Sequence, residues 1–281
     1  MKLLLIDGHN LLFQMFYGMP TRIKGKDGAP IQGVLGFVGA TLKIIRQLLP
    51  SHVCIIFDGE HENPRNELLS SYKENRKDYS TVLEEDNPFS QLDLIYKALE
   101  YLKIPYLETT NQEADDVIAS FAKTYEKQMK VIVVSTDSDF FSLISEQIQI
   151  FRYHGKNSYF CDLEYLHKKY GITPNQYVFF KSLIGDTADN IKGVYGIGPK
   201  TAARIVSAYP TLSNLTDSLD AITNPRIREK IQTSRDILYR NQQLIQLHII
   251  KNLPFELENL EYTLQDDLTA ISVLKALSIW V

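Results

Sequence analysis

Short apolar runs alternate with longer stretches of helical periodicity along the first 150 residues. Continuous aliphatic runs of four or five residues predict buried parallel strands. Apolar residues that recur at intervals of three and four predict helices between them. The strand candidates are 3–6, 53–57, 104–107, 131–134 and 148–151, and the helices are 34–49, 89–102 and a third beginning near residue 113. This alternation predicts an α/β domain with a mostly parallel sheet flanked by helices.

The pattern becomes mostly helical after residue 163. Pro174 and Pro199 each stand where a helix begins, and glycines at 193, 196 and 198 form a tight turn before the second of them. Residues 190–209 hold three basic residues and no acidic ones. Helix-start amides beside Lys200 and Arg204 suit a phosphate backbone, although an ordinary helical hairpin has the same pattern. We therefore expect an α/β domain over 1–163 and a helical DNA-binding module over 164–281.

Acidic residues follow three of the predicted strands. The carboxyl ends of parallel strands share one edge of a sheet, where ligands collect. A further acidic cluster opens the helix near residue 113. Each cluster alone has an ordinary explanation as a turn or a helix start. Together they favour a divalent cation, which would offset so much negative charge. The residues after strands are Asp7, Asp58, Asp137 and Asp139, and those at the helix start are Glu113, Asp115 and Asp116.

A polar segment, 61–87, interrupts the alternation directly after Asp58. It is weakly periodic and contains several basic residues. Long polar insertions beside a site are often lids or binding loops, and a disordered surface loop has the same composition. Tyr72 beside Lys73 combines a stacking surface with a cation, which suits single-stranded nucleic acid.

Composition changes this picture little. Asp186 and Asp189, which follow the helix that begins at Pro174, bring the candidate carboxylates to nine. The formal charge is −4, but without these nine the chain has 30 basic and 25 acidic residues. An acidic chain is therefore compatible with a phosphate-binding surface. Two cysteines indicate neither a disulfide framework nor zinc, so we expect a cytoplasmic protein. No apolar run approaches a membrane span or a signal-peptide core.

The ordered motifs resemble a known family. EADD at 113–116, TDSD at 136–139, GDTADN at 185–190 and GVYGIGPKTA at 193–202 are similar to those of bacterial 5′ nucleases of the flap endonuclease family. The resemblance includes the 5′→3′ exonuclease domain of DNA polymerase I, here in free-standing form, and runs to about residue 253. It implies a PIN-like nuclease domain with a helical arch over about 61–87, followed by a helix–hairpin–helix-type module.

The resemblance also implies the site residues. Two Mg²⁺ or Mn²⁺ ions would serve hydrolysis of DNA at 5′ ends and 5′-flap, nicked or branched junctions, in replication primer removal and repair, by a protein expected to be monomeric. The first metal group would be Asp7, Asp58, Glu113 and Asp115, and the second Asp116, Asp137, Asp139, Asp186 and Asp189. Asp115, Lys73 and Arg76 would be catalytic, and K⁺ would bind at the glycine-rich turn, 193–198. DNA contacts would come from Arg65, Tyr72, Lys73, Arg76, Lys192, Gly196, Gly198, Lys200, Thr201 and Arg204.

Two departures from the family pattern concern substrate binding and the shape of the arch. Gln14 stands where the family usually has Arg, and Lys77, Asp78 and Tyr79 replace small residues and Pro. Three alternatives remain open at this point. They are a DNA-junction binding protein without catalysis, a phosphatase that forms an aspartyl-phosphate on the Asp-x-Asp pair after a strand, and a ribonuclease of related fold.

Overall fold

The computed structural model describes residues 1–19, 21–59, 64–75, 77–265 and 267–280. The strands are β1 (Lys2–Asp7), β2 (His52–Phe57), β3 (Tyr106–Glu108), β4 (Lys130–Val134), β5 (Ile148–Arg152), β6 (Tyr159–Cys161), β7 (Gly185–Asp186) and β8 (Ile191–Lys192). The helices are α1 (Gly8–Gly18), α2 (Gln32–Leu48), α3 (Leu92–Tyr101), α4 (Ala114–Tyr125), α5 (Leu163–Tyr170), α6 (Pro174–Ile184), α7 (Pro199–Ala208), α8 (Leu212–Asp217), α9 (Pro225–Thr233), α10 (Arg235–Ile245) and α11 (Ala270–Ala276).

Six strands form the central sheet in the order β3-β2-β1-β4-β5-β6. Every neighbouring pair is parallel except the last, in which β6 runs antiparallel to β5. The structure confirms the mostly parallel sheet that the apolar runs predict. The chain leaves β1 toward β2 on one side and later returns to β4 on the other, so the strand order reverses beside β1. Crevices at such points lie beyond the carboxyl ends of the strands.

Alternate residues of each central strand pack into two cores. Leu3 and Leu5 of β1 face α4 and the helical half of the chain. Leu4 and Ile6 face α1, α2 and α3 on the other side. Helices therefore cover both faces of the sheet, which explains why its strands are continuously apolar instead of alternating with polar residues.

A helical module follows the sheet. α6 ends at Ile184, the two-residue strands β7 and β8 pair, and the chain then turns through 193–198 into α7. Val194, Ile197 and Ala202 are buried between these helices. Pro174 and Pro199 each occupy the first position of their helix, as the sequence predicts.

The C-terminal segment packs on the α/β domain. Tyr262 N donates to Ser51 O at 3.0 Å, and α11 packs on α2 through Val273 and Leu274, both fully buried. The expected span of the helical module, 164–281, stays a prediction, and its last helix contacts the other domain.

The described part of 61–87 differs from the helical arch that the resemblance implies. It contains only short 3₁₀ turns at 64–67 and 84–86, with irregular backbone elsewhere. The segment is mostly polar, so it lacks the apolar stripe that stabilises a longer helix by packing. No helix within the described ranges is long and apolar enough to span a bilayer.

Candidate active site

Asp7 stands at the end of β1, where it caps α1. One of its carboxylate oxygens accepts a hydrogen bond from the N–H of Asn10 at 3.1 Å, and the other accepts one from the Ser135 hydroxyl at 2.8 Å. Ser135 follows β4, the strand beside β1. The carboxylate is 7% exposed. The helix cap therefore fixes this oxygen pair at the switch point of the sheet.

Asp58 is held in the same way by a neighbouring element. It follows β2 and accepts a hydrogen bond from the N–H of Ala114, the first residue of α4, at 2.7 Å. The Nδ1 atom of His9 lies 3.9 Å from its other oxygen. Burial favours the neutral acid, but these two groups outweigh it and lower the pKa of Asp58. This contact brings the start of α4 to the sheet edge.

The acidic start of α4 meets two basic residues of the segment 64–75. Arg65 contacts Glu113 and also Asp116, whose carboxylate lies 2.9 Å from the guanidinium. Lys73 donates a hydrogen bond to Glu113. Its ammonium also lies 4.9 Å from the centre of the Tyr72 ring. These pairs anchor the segment over the site.

The same segment is bonded to the loop after α6. Lys73 N donates to Asp189 O at 3.1 Å, the side chain of Asn190 donates to Ser71 O at 2.8 Å, and that of Asn75 donates to Thr187 O at 2.8 Å. Asn190 has a φ of 58°, which an asparagine tolerates better than most residues. We refer to these three bonds as the arch-base bonds.

A cleft of about 1450 Å³ lies over the sheet edge. Its acidic floor and its basic and aromatic wall come from different elements. Phe13, Tyr79 and Phe89 pack against one another in edge-to-face geometry, and the Tyr17 and Tyr79 hydroxyls are 2.7 Å apart. Five of the predicted site carboxylates line the cleft, with Asp78 and Glu108 at its margin and Lys73 and Lys77 as its lysines; the five are Asp7, Asp58, Glu113, Asp115 and Asp137.

A second acidic group lies beside this cleft. Asp139, Asp186 and Asp189 each offer one oxygen, and these oxygens lie within 4.8 Å of one another. Lys181 of α6 points into the group: its Nζ lies 3.1 Å from Asp139 Oδ1 and donates a hydrogen bond to Asp186. The nine predicted carboxylates thus divide into a cleft group of five, a second group of three and Asp116, which contacts Arg65.

Several of these acids titrate abnormally because they are buried close together. Burial, with the charges of Asp58 and Asp137, raises the pKa of Asp7 to about 7. Burial and the charge of Asp137 raise the pKa of Asp139 to about 7, against the opposing effect of Lys181. Burial and the neighbouring carboxylates also raise the pKa of Asp115 and that of Asp137. Crowded carboxylates of this kind are typical of functional sites.

These donor sets fit hard divalent cations. All the candidate ligands are carboxylate oxygens, which suit Mg²⁺, Mn²⁺ and Ca²⁺, whereas thiolates and imidazoles are the softer ligands. Burial, with repulsion between neighbouring carboxylates, raises the pKa of several of these acids and so disfavours their ionised form. A bound cation would favour that ionised form.

The structure differs from the sequence expectation at three proposed contact residues. Arg65 is 5% exposed and engages Glu113 and Asp116, so it faces the protein interior. Tyr72 is 6% exposed and packs against Val178 and Ile191. Asp116, placed by the resemblance in the second metal group, accepts from Arg65 and from the N–H of His248 at 2.9 Å. These residues support the site instead of facing its cleft. Arg76 lies outside the described residues.

The glycine-rich turn presents basic side chains to solvent. Lys192, Lys200 and Arg204 are exposed, and Thr201 is partly exposed on the first turn of α7. Gly196 has a φ of 74°, and a Cβ there would lie 2.1 Å from Lys230 Nζ. Gly198 caps α7 with ordinary extended backbone. Gly198, Pro199 and Lys200 are exposed, and an exposed helix start of this kind can bind a phosphate.

Sequence reasoning missed several residues of the site. Asn10 bonds to Thr136 through its side-chain amide, at 2.9 Å, and so ties α1 to the loop after β4. The position of Lys181 on α6, five residues before Asp186, was the available signal for its role. Gln14 was not missed, since the sequence marks it as a departure from the family pattern. It lines the cleft, and its amide contacts Tyr153 O and the His154 ring.

Two family models match the chain. Residues 2–171 match the 5′-3′ exonuclease N-terminal resolvase-like domain, and residues 172–267 match the 5′-3′ exonuclease C-terminal SAM fold. The chain belongs to the 5′-3′ exonuclease family. Relatives include a thermostable DNA polymerase I of Thermus thermophilus, 36% identical over 92% of this chain, and DNA polymerase I of Bacillus subtilis, 30% identical over 93%. The chain spans only about 30% of these relatives' length.

Solved structures share the fold of this family member. The bacteriophage T5 flap endonuclease, in a pseudo-enzyme–product complex with DNA and metal ions, has a TM-score of 0.74 at 22% identity. That match covers 88% of this chain and 89% of the other. The catalytic core of Rad2 in complex with DNA substrate has a TM-score of 0.63 at 17% identity, covering 98% of this chain and 86% of the other. At these identities the likeness establishes the architecture.

Proposed function

We propose that this chain is a metal-dependent nuclease that hydrolyses DNA phosphodiesters at 5′ ends and 5′-flap junctions. The observation that carries the proposal is the convergence of carboxylates from three adjacent strand ends and the start of α4 on one cleft. Family membership and the DNA and metal ions of the T5 complex support the same assignment. Family membership disfavours the alternative that the chain is a phosphatase that forms an aspartyl-phosphate.

The proposed ions are Mg²⁺ or Mn²⁺, since every candidate ligand is a carboxylate. When bound, such ions supply positive charge that activates water and stabilises both the attacking and the leaving oxygens of the phosphate. Two of the expected ligands are regrouped, because Glu113 contacts Arg65 and Lys73 and Asp137 lines the cleft. Asp7, Asp58, Asp115 and Asp137 would hold the first ion, and Asp139, Asp186 and Asp189 the second. Glu113 and Asp116 hold Lys73 and Arg65 in place.

The basic wall of the cleft positions the substrate in this proposal. Lys73 is held between Tyr72 and Glu113, so its ammonium is fixed beside the acidic floor. It would bind the scissile phosphate and offset its charge in the transition state, together with Arg76. Lys77 lines the same wall. The aromatic surface beside it suits a splayed nucleobase.

Duplex DNA would bind to the glycine-rich turn. Exposed Lys192, Lys200 and Arg204, with the α7 amides, would contact phosphates, so recognition depends on DNA shape and not on sequence. A monovalent cation such as K⁺ at this turn, a monomeric state and a cytoplasmic location belong to the same proposal. The two free, buried cysteines agree with a reducing compartment. The polymerase relatives favour roles in primer removal and repair.

Cleavage of a 5′-labelled flap duplex under single-turnover conditions tests the proposal. The wild type is expected to cut near the junction with Mg²⁺ and not with a chelator. Asp115→Asn is expected to slow cleavage roughly a hundredfold or more, because it removes a charged ligand. Asp93→Asn, at an exposed position of α3, is the matched control and should cut normally. Flap binding without cleavage at any Mg²⁺ or Mn²⁺ concentration would favour the non-catalytic junction binder.

A further inference from the structure

Lys181 contacts two of the three carboxylates of the second acidic group, Asp139 and Asp186. Its side chain is 6% exposed, and its ammonium contacts Asp139 Oδ1 at 3.1 Å, donates to Asp186 and lies 3.3 Å from the Ser138 hydroxyl. Asp189 completes the set of three converging carboxylates. The lysine therefore already supplies a cation where the oxygen donors converge.

The position of this lysine follows from α6. Lys181 lies in the last turn of the helix, where a cation interacts favourably with the helix dipole. The helix ends at Ile184, and Gly185, with a φ of 80° and close to the backbone of Gly193, turns the chain sharply back. That turn brings Asp186 onto the lysine. The ion pair is thus built into the end of a buried helix.

A lysine ammonium and a divalent ion cannot share this position. Either would lie within about 3 Å of the same carboxylate oxygens, and two cations at such a separation in a buried site repel strongly. Asp139 and Asp186 together carry more charge than the one ammonium that contacts both, so this pair retains negative charge that still attracts a cation. Entry of the ion requires the ammonium to withdraw along its flexible stem.

We propose that Lys181 is a resident cation of the second acidic group and competes with the second divalent ion for it. The inference rests on the proposed function for the identity of that ion. It predicts unequal sites: the cleft group, which Lys181 does not contact, binds the first ion tightly, and the second ion binds weakly because it must displace the ammonium. Lys181 is then a positioning residue that sets the metal concentration at which the second group fills.

Titration of the full chain with Mn²⁺, without DNA, measures the affinities of the two sites directly, by calorimetry and by the paramagnetic signal of free Mn²⁺. Lys181→Met removes the ammonium and is expected to tighten the second site about tenfold or more while leaving the first unchanged. Lys181→Arg keeps the charge and should retain weak second-site binding. Lys169→Met is the matched control, since Lys169 lies on α5 and contacts Tyr165.

A second measurement guards against misfolding of the methionine variant. Lys181→Gln removes the charge but retains a hydrogen-bond donor for Asp186. Both uncharged variants are expected to gain more thermal stability from Mn²⁺ than the wild type, because the ion replaces the missing cation. Lys169→Met should show the wild-type gain.

Second-site affinities within twofold of the wild type in both Lys181→Met and Lys181→Gln would overturn the inference. Two equally tight ions in the wild type would do so as well. If those results accompany normal flap cleavage, only the role of Lys181 fails, and the proposed nuclease stands. If no variant and no wild-type protein binds Mn²⁺, the proposed function fails with it.

Discussion

The Asp7 carboxylate caps a helix, accepts a hydrogen bond from Ser135 and faces Asp58 and Asp137 across the cleft. Its burial raises its pKa to about 7, and Asp139 has a similar pKa for similar reasons. The folded state therefore favours the neutral, protonated form of both side chains. A divalent ion reverses that preference, because it favours the ionised form.

The metal-free protein should lose stability as pH rises from about 4 to about 7. In this window the folded state keeps protons on Asp7 and Asp139 that the unfolded chain, with ordinary acid pKa values, has already released. The free energy of unfolding should fall by an amount on the order of a few kcal/mol. Urea unfolding in chelator at several pH values measures it.

Asp7→Asn and Mn²⁺ provide the comparison for that experiment. The variant removes one acid with a raised pKa, so its free energy of unfolding should depend less on pH. Saturating Mn²⁺ should have the same effect on the wild type. Asp93→Asn should retain the slope. A metal-free protein whose stability rises from pH 4 to pH 7 would contradict the assigned pKa shifts.

Site residues differ in whether their place in the site could be predicted from the sequence. Asp58 and Asp137 were predictable as members of a site because each follows an apolar strand whose end position is fixed by the sheet. The role of Ser135 depends on a contact with Asp7 that is distant in sequence, which no local pattern encodes. Lys181 has a local signal, its position five residues before Asp186, but its contact with Asp139 is long-range. Tyr72 was expected at a solvent-facing site, but tertiary packing buries its ring.

At the scale of elements, the glycine-rich turn holds two glycines with different constraints. Gly196 has positive φ, and a Cβ would collide with Lys230 Nζ, whereas Gly198 has ordinary φ and open space around it. Gly196→Ala is expected to destabilise the protein by about 1–2 kcal/mol and to weaken duplex binding. Gly198→Ala should change stability by less than about 0.5 kcal/mol.

Chemical denaturation and duplex binding of both variants check this pair. Equal losses of stability would show that the positive φ of Gly196 does not constrain the turn. A loss of binding confined to Gly198→Ala would instead indicate close approach of DNA to the helix start.

The arch-base bonds link the segment 64–75 to the loop that carries Asp186 and Asp189. Asn190→Gly preserves the positive φ and removes the bond to Ser71 O, so it should loosen that segment by about 1 kcal/mol. Amide exchange of residues 64–75 is the measurement. Asn75→Ala removes a more exposed bond and should have a smaller effect. Protection unchanged in Asn190→Gly would contradict this link.

Elements with strong periodicity were the predictable ones. The apolar runs of β1, β2 and β4 are continuously hydrophobic, which is typical of strands buried on both faces of a sheet. The segment 61–87 has weak periodicity, so its 3₁₀ turns depend on contacts such as Arg65 with Glu113 and not on its own pattern. The edge strand β6 is too short to leave a distinct signal.

At the scale of the whole molecule, α11 joins the end of the chain to its beginning. Leu274 is fully buried against α2, and Ile271 on the same helix is 47% exposed. Leu274→Ala is expected to lower the free energy of unfolding of the full chain by about 2–4 kcal/mol. Ile271→Ala, the matched control, should cost less than about 1 kcal/mol.

Urea denaturation followed by tryptophan fluorescence measures these free energies of unfolding, since Trp280 packs against the same core as Leu274. Similar losses from the two variants would mean that α11 contributes little to the α/β domain. The sequence predicted two structural parts correctly in kind, but the return of 260–280 to the first part is a long-range contact with no local signature.

The central claim is that carboxylates distant in the chain converge to bind divalent cations, and anomalous diffraction from crystals soaked in Mn²⁺ tests it most directly. We predict a peak within coordination distance of Asp7, Asp115 or Asp137 in the cleft, with any peak at Asp139, Asp186 and Asp189 of lower occupancy. Ordered cleft carboxylates with no manganese peak near any of them, at saturating Mn²⁺, would contradict the account.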